Sequence, residues 1–271
     1  RWIADVTFYK NGGTEDGGGS STQSVYVNDG DSTTVIPPNL TAAYDYDVFM
    51  GWYSDSALST LVSSEIASVS VSGTGSIYAG WGPNPLYAVG EPGTGGGTVF
   101  YVKDGAGPRA TSQTWRFLEV APTDIDGVTE DGSLRENRAR WGLHVRAEDQ
   151  SFTTISTHNT LGGGKEATEA ILSQKESSET NNAAYQVSQY GNAGDDWYLP
   201  SVAELLELSE LWENVNIGMV TGTGLSHRYW ASTSEGNNEA MNVWKSSSGA
   251  SLQSGPYARN NHLRVRPVRR F

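Results

Sequence analysis

The sequence predicts an α+β chain in two parts, a small β-rich domain over residues 1–84 and a larger mixed domain over residues 85–271. Three observations predict this. Runs that alternate polar and apolar residues dominate the first part. Gly82-Pro83-Asn84-Pro85 then makes a stiff polar linker. Beyond it, helix-forming runs lie among further short strand-like runs.

In the first part, Asp5-Val6-Thr7-Phe8-Tyr9 alternates as a half-buried strand should. Asn11-Gly12-Gly13 turns the chain, and residues 16–21 extend the turn into a polar loop. Ser24-Val25-Tyr26-Val27 is a second strand, and Pro37-Pro38 interrupts the chain after it. Residues 48–53 and 76–81 are the third and fourth strands, with a short loop or helical turn over 56–65. Trp52 and Trp81 read as core residues; a sugar-stacking platform is the other use of such side chains.

In the second part, Gly93-Thr94-Gly95-Gly96-Gly97 precedes the strand Val99-Phe100-Tyr101-Val102. A dinucleotide-binding loop follows a strand and opens a helix, so this order argues against phosphate. Residues 115–120 form another strand, and residues 124–138 read as loop. Gly162-Gly163-Gly164-Lys165 resembles a P-loop only in part: Asn159 fills the leading glycine position, and Glu166 follows the lysine in place of Ser or Thr. Residues 166–172 and about 182–190 favour helix. Ser201 with Glu204 forms a capping box for a helix over 202–213, whose Val202, Leu205, Leu208 and Trp212 make one apolar stripe. Glu204, Glu207, Glu210 and Glu213 are read as its solvated face.

Composition removes several function classes. The chain has no cysteine, which excludes disulfides, thiolate catalysis and cysteine-ligated metals. A formal net charge of −13 argues against nucleic acid, because phosphate binding needs clustered Lys and Arg. No apolar run is long enough to span a membrane as a helix. No signal peptide is seen, and a chain beginning at Arg1 reads as a processed or trimmed form. His144, His158, His227 and His262 are scattered without a metal-ligand spacing. Neither a metal nor another cofactor is expected.

Two resemblances sharpen this reading. Val6-Thr7-Phe8 with Asn11-Gly12-Gly13, Phe49 with Gly51-Trp52-Tyr53 and Asp55, and Ile77-Tyr78-Ala79 with Trp81 resemble the Listeria–Bacteroides repeat. That resemblance implies a β-grasp-like stalk module. In the second part, the ordered series runs from Val89-Gly90-Glu91, the glycine run and Val99-Phe100 through Trp141-Gly142 and Asn159-Thr160. It continues with Asp196 to Ser201 and Glu204-Leu205, then Tyr229 to Thr233, and ends at Val265 to Arg269. It resembles a C-type lectin-like domain of the subtype shared with formylglycine-generating enzymes. The implied fold has two helices, short antiparallel strands and long loops. Those enzymes depend on active-site cysteines, so the resemblance carries no activity here. The calcium-binding triplets of true C-type lectins are also missing.

The ending Arg264-Val265-Arg266-Pro267-Val268-Arg269-Arg270-Phe271, preceded by a Ser/Asn/Gly-rich segment, resembles the variable proteins of diversity-generating retroelements. The resemblance implies a ligand-binding protein on the bacterial surface, an outer-membrane lipoprotein anchored outside this chain, monomeric, with a protein as ligand. Residues 229–262 would then be diversified. Asn, Ser and Gly give adaptable hydrogen bonding while Tyr and Trp give rigid contact area. The candidate contact residues are Ser234, Gly236, Asn237, Asn238, Asn242, Trp244, Ser246, Ser248, Leu252, Tyr257, Asn260 and His262. Trp230, Met241, Val243, Gly249 and Val265 to Val268 are the expected frame, with Arg264, Arg266, Arg269 and Arg270 paired to carboxylates. Lys245 sits where an apolar residue would be expected, which leaves the phase of its strand, and so the facing of Asn242 and Trp244, open. The alternative function is a constant carbohydrate-binding adhesin.

Overall fold

The computed structural model describes residues 2–11, 14–15, 21–28, 31–38, 40–42, 47–103, 115–125, 127–128, 134–135, 138–141, 159–173, 182–191, 196–213, 217–222, 224–235, 238–246 and 251–271. Two compact units emerge: Arg1–Ala88 with Val102–Arg116, and Val89–Tyr101 with Phe117–Phe271. The sequence places one boundary after Asn84. Asn84 in fact caps a 3-10 turn over Pro85–Tyr87, its side chain accepting from the Leu86 amide.

Alternation builds the first unit. Trp2–Tyr9 pairs antiparallel with Ser21–Val27 and parallel with Gly75–Pro83. Asp47–Tyr53 and Leu61–Ser63 complete the five-stranded sheet. Ala4, Val6 and Phe8 point inward, while Ile3, next to Ala4 and out of phase with them, stays exposed. Trp52 and Trp81 are both buried, each ring edge-on to Phe49. Trp81 Nε1 donates to the Lys10 carbonyl at 2.8 Å. These tryptophans are core, and neither offers a face for stacking sugar. A buried ion pair, Arg116 Nη1 to Asp47 Oδ1 at 2.8 Å, lies in the same unit.

The second unit contains two larger sheets. Thr98–Val102, Phe117–Val120 and Val268–Arg270 form one; Arg138–Ala139, Leu263–Arg264, Tyr229–Glu235, Glu239–Lys245 and Leu252–Ala258 form the other, in that order. The last forty residues therefore supply strands to both. The outermost strand, Leu252–Ala258, carries Pro256 opposite Met241. Helices are short: Gly164–Ser173, Ala183–Ser188 and Val202–Glu207. The third tightens into a 3-10 turn at Leu208–Glu210, where the sequence predicts continued helix.

This architecture corrects the expected fold class. Among the described residues the chain is mainly β, with three short helices, and is not the α+β C-type lectin-like fold with two helices. The reason is physical. Two- and three-residue strands such as Leu263–Arg264 and Val268–Arg270 carry no periodicity, yet they close sheets by pairing over long sequence separations.

The C-terminal arginines pair with carboxylates, as expected. Asp124 takes Arg264 and Arg266 together, each at 2.6 Å, and also accepts from the Tyr229 hydroxyl at 3.3 Å. Arg266 further donates to the carbonyls of Ala121 and Ile217. Arg269 binds Glu119 at 2.9 Å and Arg270 binds Glu166 at 2.6 Å. The glycine run has the same purpose. Gly95 N donates to both Glu119 oxygens, at 2.9 and 3.2 Å, so the loop cradles the chain's own carboxylate. Burial pushes the Glu119 carboxyl up, against Arg269 and the glycine amides.

Glu204 also departs from its expected place. It is fully buried rather than solvated. Its oxygens accept from Gly162 N at 2.9 Å, Tyr198 Oη at 2.8 Å and Ser201 N at 2.6 Å, and the capping box with Ser201 is complete. The carboxylate ties the entry of the first helix to the start of the third.

A Cβ at residue 95 would meet Glu119 Oε1 at 2.6 Å. Gly95→Ala is therefore expected to lower stability by about 1–3 kcal/mol in urea denaturation. Gly75→Ala, where nothing lies within 4 Å, serves as its neutral comparison. Burial raises Glu204 from 4.5 to about 7, against its three donors. The folded state thus keeps this proton through a window where the unfolded chain has lost it. The group's contribution to stability is full below about pH 4.5 and is lost as pH rises through about 7. The urea midpoint should fall across that window, and fall less in Glu204→Gln; equal slopes in both proteins would contradict the assignment.

Candidate ligand-binding site

The antiparallel pairing of Glu239–Lys245 with Leu252–Ala258 sets the geometry of the site. Its register places Ala240 opposite Tyr257, Asn242 opposite Gly255 and Trp244 opposite Gln253. On the other side, Trp230 faces Asn242 and Tyr229 faces Val243. One further step along that register brings Arg228 beside Trp244. Side chains alternate, so Trp230, Ala240, Asn242, Trp244 and Tyr257 share one face. Trp230 and Ala240 sink into the core, whereas Trp244 and Tyr257 are half-buried.

Arg228 lies between these two aromatic rings. Its Cζ is 4.1 Å from the Trp244 ring centroid and 5.6 Å from that of Tyr257. Its Nη1 is 3.4 Å from Asn242 Oδ1, a long contact for a hydrogen bond. The Nε atom is buried without a partner. Below, Asn242 Nδ2 donates to the Gly255 carbonyl at 2.6 Å and pins the asparagine. The result is a partly buried arginine, its Nε covered, beside two rings and over a fixed polar floor.

Nine of the twelve predicted contact residues are among the described residues. Trp244 and Tyr257 meet at Arg228. Asn242 meets them too, but it is buried and so belongs to the floor. Ser234 is buried opposite Ala240, which removes it from a solvent-facing surface. Ser246 and Leu252 are half-buried at the Lys245 end of the hairpin, with Lys245 opposite Leu252. Exposed Asn238 and Asn260 lie at the other end, where Arg259 N donates to the Asn238 carbonyl. Half-buried His262 follows them. Gly236, Asn237 and Ser248 lie outside the described residues, as does Gly249 of the predicted frame.

The predicted frame is otherwise in the interior. Trp230, Val243, Val265 and Val268 are fully buried, and Met241 is half-buried. Trp230 Nε1 donates to the Ala139 carbonyl at 2.9 Å. Lys245 is accommodated by Glu213, 3.4 Å from its Nζ, and the unbroken register places Asn242 and Trp244 on one face. Arg228 lies one residue before Tyr229, where the predicted segment opens, and so falls outside the candidate set. Its only sequence signal is a cation next to an aromatic pair.

Among the described residues, no three His, Asp or Glu side chains gather as a metal would need. His227 Nδ1 lies 3.2 Å from its neighbour Ser226 Oγ.

No family model matches the chain, and no curated protein matches it either. Among solved structures, the crystal structure of a fimbrial protein from Bacteroides ovatus is similar over 99% of this chain and 70% of its own. The identity is 13% and the TM-score 0.41.

The division into frame and surface has a direct stability consequence. Trp230→Ala is expected to cost about 3–5 kcal/mol. Trp244→Ala, which loses a half-exposed ring and one cation–π contact, should cost about 1 kcal/mol. Chemical denaturation of the two variants checks this; comparable losses would place Trp244 in the frame.

Proposed function

We propose that this chain is a non-enzymatic bacterial surface protein whose C-terminal hairpin binds a ligand, with a protein as the first candidate. The observation that carries the reading is the Arg228–Trp244–Tyr257 cluster, half-exposed above a buried frame. Aromatic rings beside an arginine supply rigid contact area together with directional hydrogen bonding, a combination that binding hot spots favour.

The reading extends to diversification by a retroelement. Trp244, Ser246, Leu252, Tyr257, Asn238 and Asn260 all retain solvent contact on and around the hairpin. Their side chains can change while backbone pairing and the buried Trp230, Val243, Val265 and Val268 hold the sheet. Ser234 and Asn242 leave the set, because polar groups buried with partners tolerate few substitutes. The carbohydrate-adhesin alternative loses its named platform with the burial of Trp52 and Trp81.

Sequencing many independent copies of the gene tests the reading. Substitutions are expected to concentrate at these half-exposed positions between residues 229 and 262 and to spare the frame. Changes spread evenly through the second unit would remove the diversification reading.

A further inference from the structure

The chemical class of the ligand group can be taken further, on the footing that the hairpin face is the binding surface. The C-terminal arginines set the comparison. Arg264, Arg266, Arg269 and Arg270 each hold a carboxylate within 3 Å. Among the described residues Arg228 holds none, although the chain carries 31 Asp and Glu against 18 Lys and Arg. Among the described residues, its side chain meets two aromatic rings and one amide oxygen at 3.4 Å. A guanidinium has five N–H donors in a planar fork, and most of these are unspent here.

A second arginine shows what a purely structural version looks like. Arg259 also lies over a tryptophan, 4.5 Å from the Trp141 ring, but it is buried and its Nε donates to the Glu239 carbonyl at 3.1 Å. Arg228 shares the ring contact and lacks both the burial and the close carbonyl. Ring stacking fixes the plane of a guanidinium, and with Nε of Arg228 buried it is the Nη1–Nη2 end that can grip a planar oxyanion with two parallel hydrogen bonds.

We infer that Arg228, held by Trp244, Tyr257 and Asn242, is an anchor for a carboxylate of the ligand. An acidic side chain of a partner protein fits this best. Asn242 holds the fork from below, and the two rings screen it from water, which strengthens the pairing. Exchange of Trp244 or Tyr257 would retune the walls of the anchor without removing its charge. Because the chain as a whole is acidic, the attraction is local: it acts within the cluster rather than by long-range steering.

The test follows the Trp244 indole N–H by NMR in the whole chain. It is titrated with sodium acetate, with sodium sulfate, with a short glutamate-containing peptide, and with the same peptide carrying glutamine. Saturable shifts are expected with the glutamate peptide and not with its glutamine counterpart. Acetate should act at the same resonance, more weakly if the source is a protein side chain and equally if it is a free small carboxylate. Arg228→Gln should abolish the shifts. Arg228→Lys, which keeps the charge and most of the stem, should weaken binding about tenfold by losing the fork. No saturable shift, equal shifts in Arg228→Gln, or sulfate outcompeting both carboxylates would overturn the inference. The wider binding reading fails separately, if a library randomised at Trp244, Ser246, Leu252 and Tyr257 folds yet yields no binder to any protein target.

Discussion

Asp124 is the group on which the second unit depends. One carboxylate holds Arg264 and Arg266 and also accepts from Tyr229, and Tyr229 in turn accepts from the Val220 amide. A loop, the strand behind the hairpin and the chain's last strands thus meet at one point. Breaking a buried ion pair by removing one partner costs about 3–5 kcal/mol, because the remaining charges keep their desolvation and lose their counterion. Here two arginines would lose theirs together. The strand beside the hairpin begins at Tyr229, so the same carboxylate fixes where that strand starts.

Internal anions explain features that otherwise resemble ligand sites. A glycine-rich loop before a strand is filled by Glu119, and a glycine-rich entry to a helix is tied to Glu204. Both carboxylates are buried, both accept backbone amides, and both are pushed up by burial. Their recurrence fits an acidic chain that uses its own carboxylates as bolts between segments. Arg228 differs from this pattern, since its charge meets rings and not a carboxylate.

Much of this could be read from residues, and the failures have physical causes. Alternation found the strands of the first unit, and Ser201 with Glu204 found the third helix's start, because both signals are local. The frame at Trp230, Val243, Val265 and Val268 was legible from its bulk and spacing. The fold class was not, since short strands such as Arg138–Ala139 acquire meaning only when a distant partner, here Leu263–Arg264, lies alongside. Glu204 looked solvated because its position in a run of glutamates hides its part in the cap. Asn242 and Trp244 share a face, and only depth beneath the neighbouring strands separates the buried amide from the half-exposed ring. Arg228 needed the register to find it.

Pro256 has a consequence for how such a surface can exist in company. The strand that carries it is the last of its sheet, and an outermost strand exposes amides that could recruit a strand from another molecule. Proline has no amide hydrogen, so the row is interrupted near its middle, opposite Met241. A backbone interruption hinders strand recruitment whatever side chains flank it, because it acts through the missing amide and not through side-chain chemistry.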